Sequence, residues 1–152
     1  MSALLFQRAC MWPEYNYDAP SLAQPLPGGM GPPIPLKDAV QLAHPNATRV
    51  AGWHAMPVRA GVPDIFVVVY QTPTQNGCFM AAPKELPGDE FATSFFSQFD
   101  PFLSKFEVKS FDNAVFLTWL AKFGADEYDV TITLMPEASS SGFIAEATQD
   151  RP

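Results

Sequence analysis

Apolar positions between residues 48 and 83 follow patterns that predict three strands. The segment DIFVVVYQT, residues 64–72, is apolar on both faces and rich in β-branched and aromatic residues, which indicates a strand in the middle of a sheet. The segment TRVAGWHAMPV, residues 48–58, predicts an edge strand or a strand with a bulge, because Pro57 interrupts it. The segment GCFMAAP, residues 77–83, starts at an Asn-Gly pair that favours a tight turn, so we expect it to pair antiparallel with residues 64–72.

A second pair of strands is predicted near the carboxyl end. In YDVTITLM, residues 128–135, apolar and polar residues alternate, so that one face carries Tyr128, Val130, Ile132 and Leu134. This alternation is typical of a strand with one buried face. The segment FIAEATQ, residues 143–149, predicts a weaker last strand that pairs back on it.

The residues between these two groups of strands predict helices. Phenylalanines recur there at spacings of four, four, three and four residues, which places them on one helical face: Phe91, Phe95, Phe99, Phe102 and Phe106. Pro101 kinks this segment or divides it into two shorter helices. A further helix is predicted to begin at Asp112 or Asn113 and to end at Gly124, with apolar residues at helical spacing between them.

The phenylalanine-rich face is interpreted as the inside of the protein. A sheet with one apolar face needs a cover, and each buried phenylalanine contributes about 1.5–3 kcal/mol. Leaving all of these rings in water would forfeit as much as, or more than, the roughly 5–15 kcal/mol by which a domain is stable. The alternative is a hydrophobic groove that holds a cofactor or a segment of a partner.

Together these elements predict an α+β fold. We expect an antiparallel or mixed sheet of about four to five strands, covered on one face by two phenylalanine-rich helices. A chain of 152 residues is most simply one domain. We assign residues 37–152 to this single α+β domain and residues 1–36 to a proline-rich, extended N-terminal arm.

The arm combines turn-forming residues with apolar ones. PSLAQPLPGGMGPPIP, residues 20–35, has six prolines and three glycines, so neither a helix nor a central strand can pass through it. Its apolar residues predict that it lies along the domain or along a neighbouring subunit, and the alternative is a disordered tail. The candidate binding residues are those of the arm together with one tryptophan of the first strand: Trp12, Tyr15, Tyr17, Met30, Ile34 and Trp53.

The charge distribution argues against nucleic-acid binding. The net charge is −7, and the nine lysines and arginines are scattered along the chain rather than clustered as phosphate binding requires. The charged fraction of 16% is low against a typical value of about 25%. Such a surface suits a protein that is partly covered by partners or by copies of itself, although a monomer with a neutral polar surface fits equally well.

The sequence predicts a cytoplasmic protein with no membrane segment. The first residues, MSALLFQRAC, lack the basic start and the long apolar run of a signal peptide. No window approaches the roughly 18 apolar residues of a membrane span. The two cysteines, Cys10 and Cys78, do not make a disulfide framework, so we expect reduced thiols.

Candidate catalytic chemistry is sparse. Cys78 is a weak candidate nucleophile, because a reactive cysteine needs a nearby base and the only histidines are His44 and His54. No sequence signature flanks Cys78, and a packed cysteine explains it equally simply. The histidines and carboxylates show no metal-ligand spacing, and no phosphate-binding loop is present. We therefore expect neither a metal nor a cofactor.

These observations favour a non-catalytic interaction protein. It would be a small acidic inhibitor, immunity protein or adaptor, or an accessory subunit of an assembly, and its partner would be another protein or a copy of itself in a homodimer. The alternative is a small enzyme with a Cys/His site in a cleft between the sheet and the arm. A third hypothesis is a pocket between sheet and helix that holds a small apolar ligand.

Overall fold

The computed structural model describes residues 6–7, 10–11, 46, 49–54, 65–137, 139 and 141–150. For residues 49–54, 66 and 141 it describes the backbone alone. Most of the arm therefore lies outside the described residues, as does the proposed boundary between arm and domain.

The fold is an antiparallel sheet with a helix on one face, so the predicted α+β class is confirmed. Seven strands are arranged in the order β1-β2-β3-β7-β6-β5-β4, more than the predicted four to five. The strands are β1 Arg49–His54, β2 Phe66–Gln71, β3 Gln75–Pro83, β4 Leu103–Phe111, β5 Ala114–Phe123, β6 Asp126–Leu134 and β7 Ser141–Asp150. Every neighbouring pair is antiparallel, which resolves the choice between an antiparallel and a mixed sheet.

Helix α1, Gly88–Phe99, makes the crossover between the two halves of the sheet. β3 and β4 are separated by three strands, and the alternation of directions makes them run the same way, so the chain must cross one face of the sheet between them. Asp89 and Glu90 lie in the first turn of α1, where the helix dipole favours anions. Within the described residues, no helix has the length and apolar character that a membrane span requires.

The hydrophobic core lies between α1 and the face of the sheet that it covers. Residues at alternate positions of the strands point to this face, including Tyr128, Val130 and Ile132 of β6, as the alternation of that segment predicts. From α1 the buried side chains are those of Phe91, Ala92, Phe95 and Phe99. The other strands contribute Val67, Cys78, Met80, Ala82, Trp119, Ala121, Phe143, Ala145 and Ala147.

The predicted strands occupy their expected places in the sheet. β1 is an edge strand, β2 lies between β1 and β3, and β2 and β3 pair antiparallel as expected. The Asn-Gly pair does not form the turn between them, because Asn76 and Gly77 belong to β3 and pair with Gln71 and Tyr70. β7 does pair back on β6. It lies in the middle of the sheet, between β3 and β6.

The second predicted helix is wrong, because residues 114–123 form β5. Asp112 and Asn113, interpreted as a helix cap, have positive φ angles of 49° and 62° and form the two-residue turn between β4 and β5. Positive φ at both central residues is what the tight hairpin turn requires. Gly124 also has a positive φ, of 63°, but it lies in the turn between β5 and β6 rather than at a helix end.

The predicted phenylalanine-rich helical face is correct only for its first three members. Phe91, Phe95 and Phe99 are buried in α1. The helix then ends, Asp100–Phe102 forms a 3₁₀ turn with Pro101 near its start, and β4 begins at Leu103. Phe102 and Phe106 therefore lie outside the helix and are about half exposed, at 44% and 55%. One helix, not two, covers the sheet in the range 65–150.

A disulfide joins the N-terminal segment to the sheet. Cys10 is bonded to Cys78 of β3, so the expectation of reduced thiols is wrong for this structure. Phe6 is buried, and its ring centroid lies 6.1 Å from that of Phe91 and 5.9 Å from that of Phe95. The described residues of the arm thus pack against α1 and β3 on the covered face of the sheet.

Candidate interaction surface

The exposed large apolar side chains form a group along one edge of the sheet. Among the side chains that the structure describes, all of them fall between residues 96 and 111: Phe96 46%, Phe102 44%, Phe106 55%, Val108 54% and Phe111 70% exposed. We call Phe102, Phe106, Val108 and Phe111 the edge surface, because they lie on β4 or directly before it. Exposed apolar groups gathered in one place indicate an interaction site more often than scattered ones do.

β4 is the terminal strand on this side of the sheet. It pairs with β5 on one side, and among the residues that the structure describes no strand pairs with its outer edge. From Ser104 to Phe111 every residue of β4 is exposed. An edge of this kind presents unpaired backbone N–H and C=O groups beside apolar side chains, and such edges attract further strands.

A bulge near the start of β4 places Phe106 over the core. Lys105 has a positive φ of 56°, and the register of β4 shifts between Ser104 and Glu107, where β4 has one residue more than β5. The ring of Phe106 stacks on the indole of Trp119, with centroids 5.0 Å apart and planes inclined by 25°. Phe106 therefore points to the face of the sheet that α1 covers, beyond the part that α1 reaches.

Buried rings support the exposed ones from below. Trp119 is 5% exposed and lies 5.7 Å from Phe95 between ring centroids. Phe102 stacks on Phe123, with centroids 4.8 Å apart, and Phe123 in turn lies 6.1 Å from Phe99. The exposed rings are thus held by fixed neighbours, which reduces the side-chain entropy that binding would remove.

Two polar groups in this cluster are buried. The indole Nε1 of Trp119 has no hydrogen-bond acceptor among the described residues. The ring of Tyr128 lies 6.5 Å from that of Phe123. Burial raises the pKa of the Tyr128 phenol to about 12, and the neighbouring Asp126 carboxylate adds to the shift. The cluster therefore holds a neutral phenol at physiological pH.

Charged residues alternate with the apolar ones along β4. The sign of the charge alternates from Lys105 to Glu107 to Lys109. Nζ of Lys109 lies 3.8 Å from Oε2 of Glu107. Both side chains are more than half exposed, so this ion pair contributes little to stability. A strand that paired with β4 would lie opposite this pattern of alternating charges.

Of the predicted catalytic residues, Cys78 is the one whose side chain the structure describes. Cys78 is fully buried and bonded to Cys10, so its sulfur is not a free nucleophile. His54 lies on β1, where the side chains are outside the described part, as is that of Trp53. His44 lies outside the described residues, as do the predicted binding residues of the arm: Trp12, Tyr15, Tyr17, Met30 and Ile34. Within the described ranges, no three His, Cys, Asp or Glu side chains are placed to hold a metal ion.

The edge surface was not predicted from the sequence. Its signal was present in KFEVK, residues 105–109, where charged and apolar residues alternate with the two-residue period of a strand. The helical spacing of the preceding phenylalanines extends as far as Phe106 and masked this signal.

Comparisons with known proteins give no assignment. No family model matches the chain, and no curated protein or solved structure matches it.

Proposed function

We propose that this chain is a non-catalytic protein-interaction subunit that binds another polypeptide through the edge surface. The observation that carries this proposal is the group of exposed apolar side chains on β4 or directly before it, together with the outer edge of β4, which is unpaired in the described residues. Addition of a strand to such an edge is a common mode of recognition, in which backbone hydrogen bonds give affinity and side chains give selectivity.

The energetics support binding at this edge. About half of Phe106 and of Val108 is exposed, so covering each of them would contribute about 1 kcal/mol. The supporting stack of Phe106 on Trp119 holds the ring in place before a partner arrives. The alternating charges of β4 add selectivity, because a partner with like charges opposite them would be disfavoured.

The disulfide favours this proposal over the enzyme alternative. A cysteine nucleophile requires a thiolate, and the sulfur of Cys78 is bonded to Cys10. An inhibitor, an adaptor, an immunity protein and an accessory subunit would all use the edge surface in the same physical way. They differ in what the bound polypeptide does, not in how β4 binds it.

A photo-crosslinking residue at position 108 tests the proposal. We expect a photoreactive phenylalanine analogue in place of Val108 to form an adduct with a polypeptide in the native host. The same analogue in place of Thr93, which is exposed on α1, is the matched control and should form none. Phe106→Ser should reduce the adduct at position 108, because it removes the neighbouring apolar contact.

Mass spectrometry of the adduct identifies the bound chain, including a second copy of this protein. Equal adduct yields at positions 108 and 93, or a yield at position 108 that Phe106→Ser does not change, would contradict the proposal.

A further inference from the structure

We infer that the occupant of the edge surface is a second copy of this chain, whose β4 pairs antiparallel with this β4 about a twofold axis at Val108. This inference rests on the proposed function and names its partner. The backbone direction, the charge pattern and the exposed apolar side chains of β4 favour this pairing.

The backbone of β4 fixes which residues can bond to a new strand. Phe111 and Ala114 flank the two-residue turn at Asp112 and Asn113, so they form a hydrogen-bonded pair within the hairpin. Hydrogen-bonding direction alternates along an antiparallel strand, so the backbone groups of Ser110 and Val108 point away from β5. An added strand therefore bonds to Val108 and Ser110.

Within the regular part of β4, after the bulge at Lys105, the charges favour one register for two copies. A twofold axis at Glu107 would set that carboxylate against its own copy, and an axis at Lys109 would do the same with two ammonium groups. With the axis at Val108, each Glu107 lies directly opposite the partner copy's Lys109, twice in the dimer. These residues form non-hydrogen-bonded pairs, in which opposite side chains are closest.

The apolar side chains become continuous in the same register. Val108 is opposite Leu117 in the register of β4 and β5, and Leu117 packs against the core, so Val108 shares the covered face with Phe106. Across the twofold axis the two copies of Val108 meet, with one Phe106 on each side. The apolar row would then run unbroken from the Trp119 of one copy to that of the other.

The bulge limits the length of this pairing, and the twofold axis limits it to a closed dimer. Regular pairing extends from Phe106 to Ser110, since the backbone at Lys105 turns to positive φ. The twofold arrangement uses the outer edge of β4 in both copies, so no further copy can add there. Pairing of β4 with its own copy thus gives a dimer rather than an open-ended polymer.

Charge exchange across the axis tests the inference. Analytical ultracentrifugation of the full chain should show a dimer. Glu107→Lys or Lys109→Glu alone puts like charges opposite each other twice, so each should raise the dimer dissociation constant about tenfold. The double variant Glu107→Lys/Lys109→Glu restores opposite charges across the axis and should return the constant to within about twofold of the original.

Reversal of a charge elsewhere provides the control. Lys122 and Glu127 form an exposed ion pair at 3.6 Å between β5 and β6, away from the outer edge of β4. Glu127→Lys should leave the dimer dissociation constant unchanged. Thermal unfolding of each variant confirms that the charge changes act on assembly and not on folding.

Cysteine cross-linking tests the register independently of the charges. Val108→Cys should form an intermolecular disulfide, because paired Cα atoms across a strand are about 5.5 Å apart. Ser110→Cys is the matched control on the same face, and its two copies would be displaced by four residues, roughly 13 Å along the strand. It should form no such bond.

The outcomes separate this inference from the proposed function. A monomeric chain whose position 108 still forms a Phe106-dependent adduct with another polypeptide overturns the dimer and leaves the interaction function standing. A dimer in which the double charge variant does not recover, or in which Ser110→Cys cross-links as well as Val108→Cys, overturns the register. A monomer with no adduct at position 108 overturns both.

Discussion

The hydroxyl of Tyr70 donates a hydrogen bond of 3.0 Å to Oε2 of Glu146, on the face of the sheet opposite α1. Tyr70 belongs to β2 and Glu146 to β7, so the side chain of Tyr70 reaches across β3, which lies between them. It crosses at Gly77, its register partner. The bond therefore joins the two halves of the sheet over a position that has no side chain.

Gly77→Ala should destabilise the fold. A Cβ atom at Gly77 would lie 2.1 Å from Cζ of Tyr70, whose side chain is 2% exposed and has no open space to move into. We expect the free energy of unfolding to fall by about 1–3 kcal/mol in urea denaturation. In the Tyr70→Ala background the same substitution should cost much less. If Gly77→Ala lowered the free energy of unfolding equally in both backgrounds, contact with the Tyr70 ring would not be the cause of the destabilisation.

The disulfide should be a major source of stability. Cys10 and Cys78 are 68 residues apart, and a cross-link over such a loop stabilises by about 4 kcal/mol through the unfolded chain. We expect the double variant Cys10→Ala/Cys78→Ala to lose about this amount in denaturant unfolding. The reduced wild-type chain should behave similarly, because both changes remove the same constraint.

A thiol assay checks the premise of this comparison. The unfolded, non-reduced protein should show no reactive thiol, since these two cysteines are the only ones in the sequence. Equal stability of oxidised and reduced protein would contradict the assigned contribution of the bond.

Strands could be predicted where apolar and polar residues alternate, or where a short run is apolar on both faces, because neither pattern is typical of an amphipathic helix. β6 shows this best, since Tyr128, Val130 and Ile132 are all buried on one face. β5 could not be separated from a helix, because its apolar residues satisfy helical spacing and also fill both faces of a central strand. Pairing with β4 and β6 decides the matter, and the spacing of apolar residues within β5 alone does not show that pairing.

The candidate site was hidden for a related reason. The helical spacing of the phenylalanines continues to Phe106, although α1 ends at Phe99 and Pro101 follows in the 3₁₀ turn. Once the chain enters β4, the residues alternate between faces, and the ring of Phe106 lies on that of Trp119 with about half of the residue exposed. Exposure of these rings follows from where α1 ends, which local spacing does not determine.

The turn between β4 and β5 should depend on residue 113 through its backbone conformation. Asn113 has a φ of 62°, which glycine adopts freely and a β-branched residue adopts at a cost of about 1–2 kcal/mol. We expect Asn113→Gly to keep or slightly raise the free energy of unfolding and Asn113→Val to lower it by about this amount. Urea denaturation of the two variants checks the prediction. Equal stability would contradict a turn with positive φ at this position.

Tyr128 should make the fold sensitive to alkaline pH. Burial, aided by the Asp126 carboxylate, raises its pKa from 10.0 to about 12, so the folded protein favours the neutral phenol. The stabilisation is complete below the unfolded pKa of 10.0 and is lost as the pH rises toward 12, because the unfolded chain releases the proton first. We expect the free energy of unfolding to fall more steeply over this range in the wild type than in Tyr128→Phe.

The Tyr128→Phe variant is the matched control, because it keeps the ring beside Phe123 and removes only the titrating hydroxyl. Other groups that titrate at high pH remain in both proteins, so the difference between the two profiles isolates the phenol. Ultraviolet difference absorbance should also show one fewer late-titrating tyrosine in the variant. If the free energy of unfolding fell equally with pH in the two proteins, Tyr128 would ionise as easily in the folded chain as in the unfolded one.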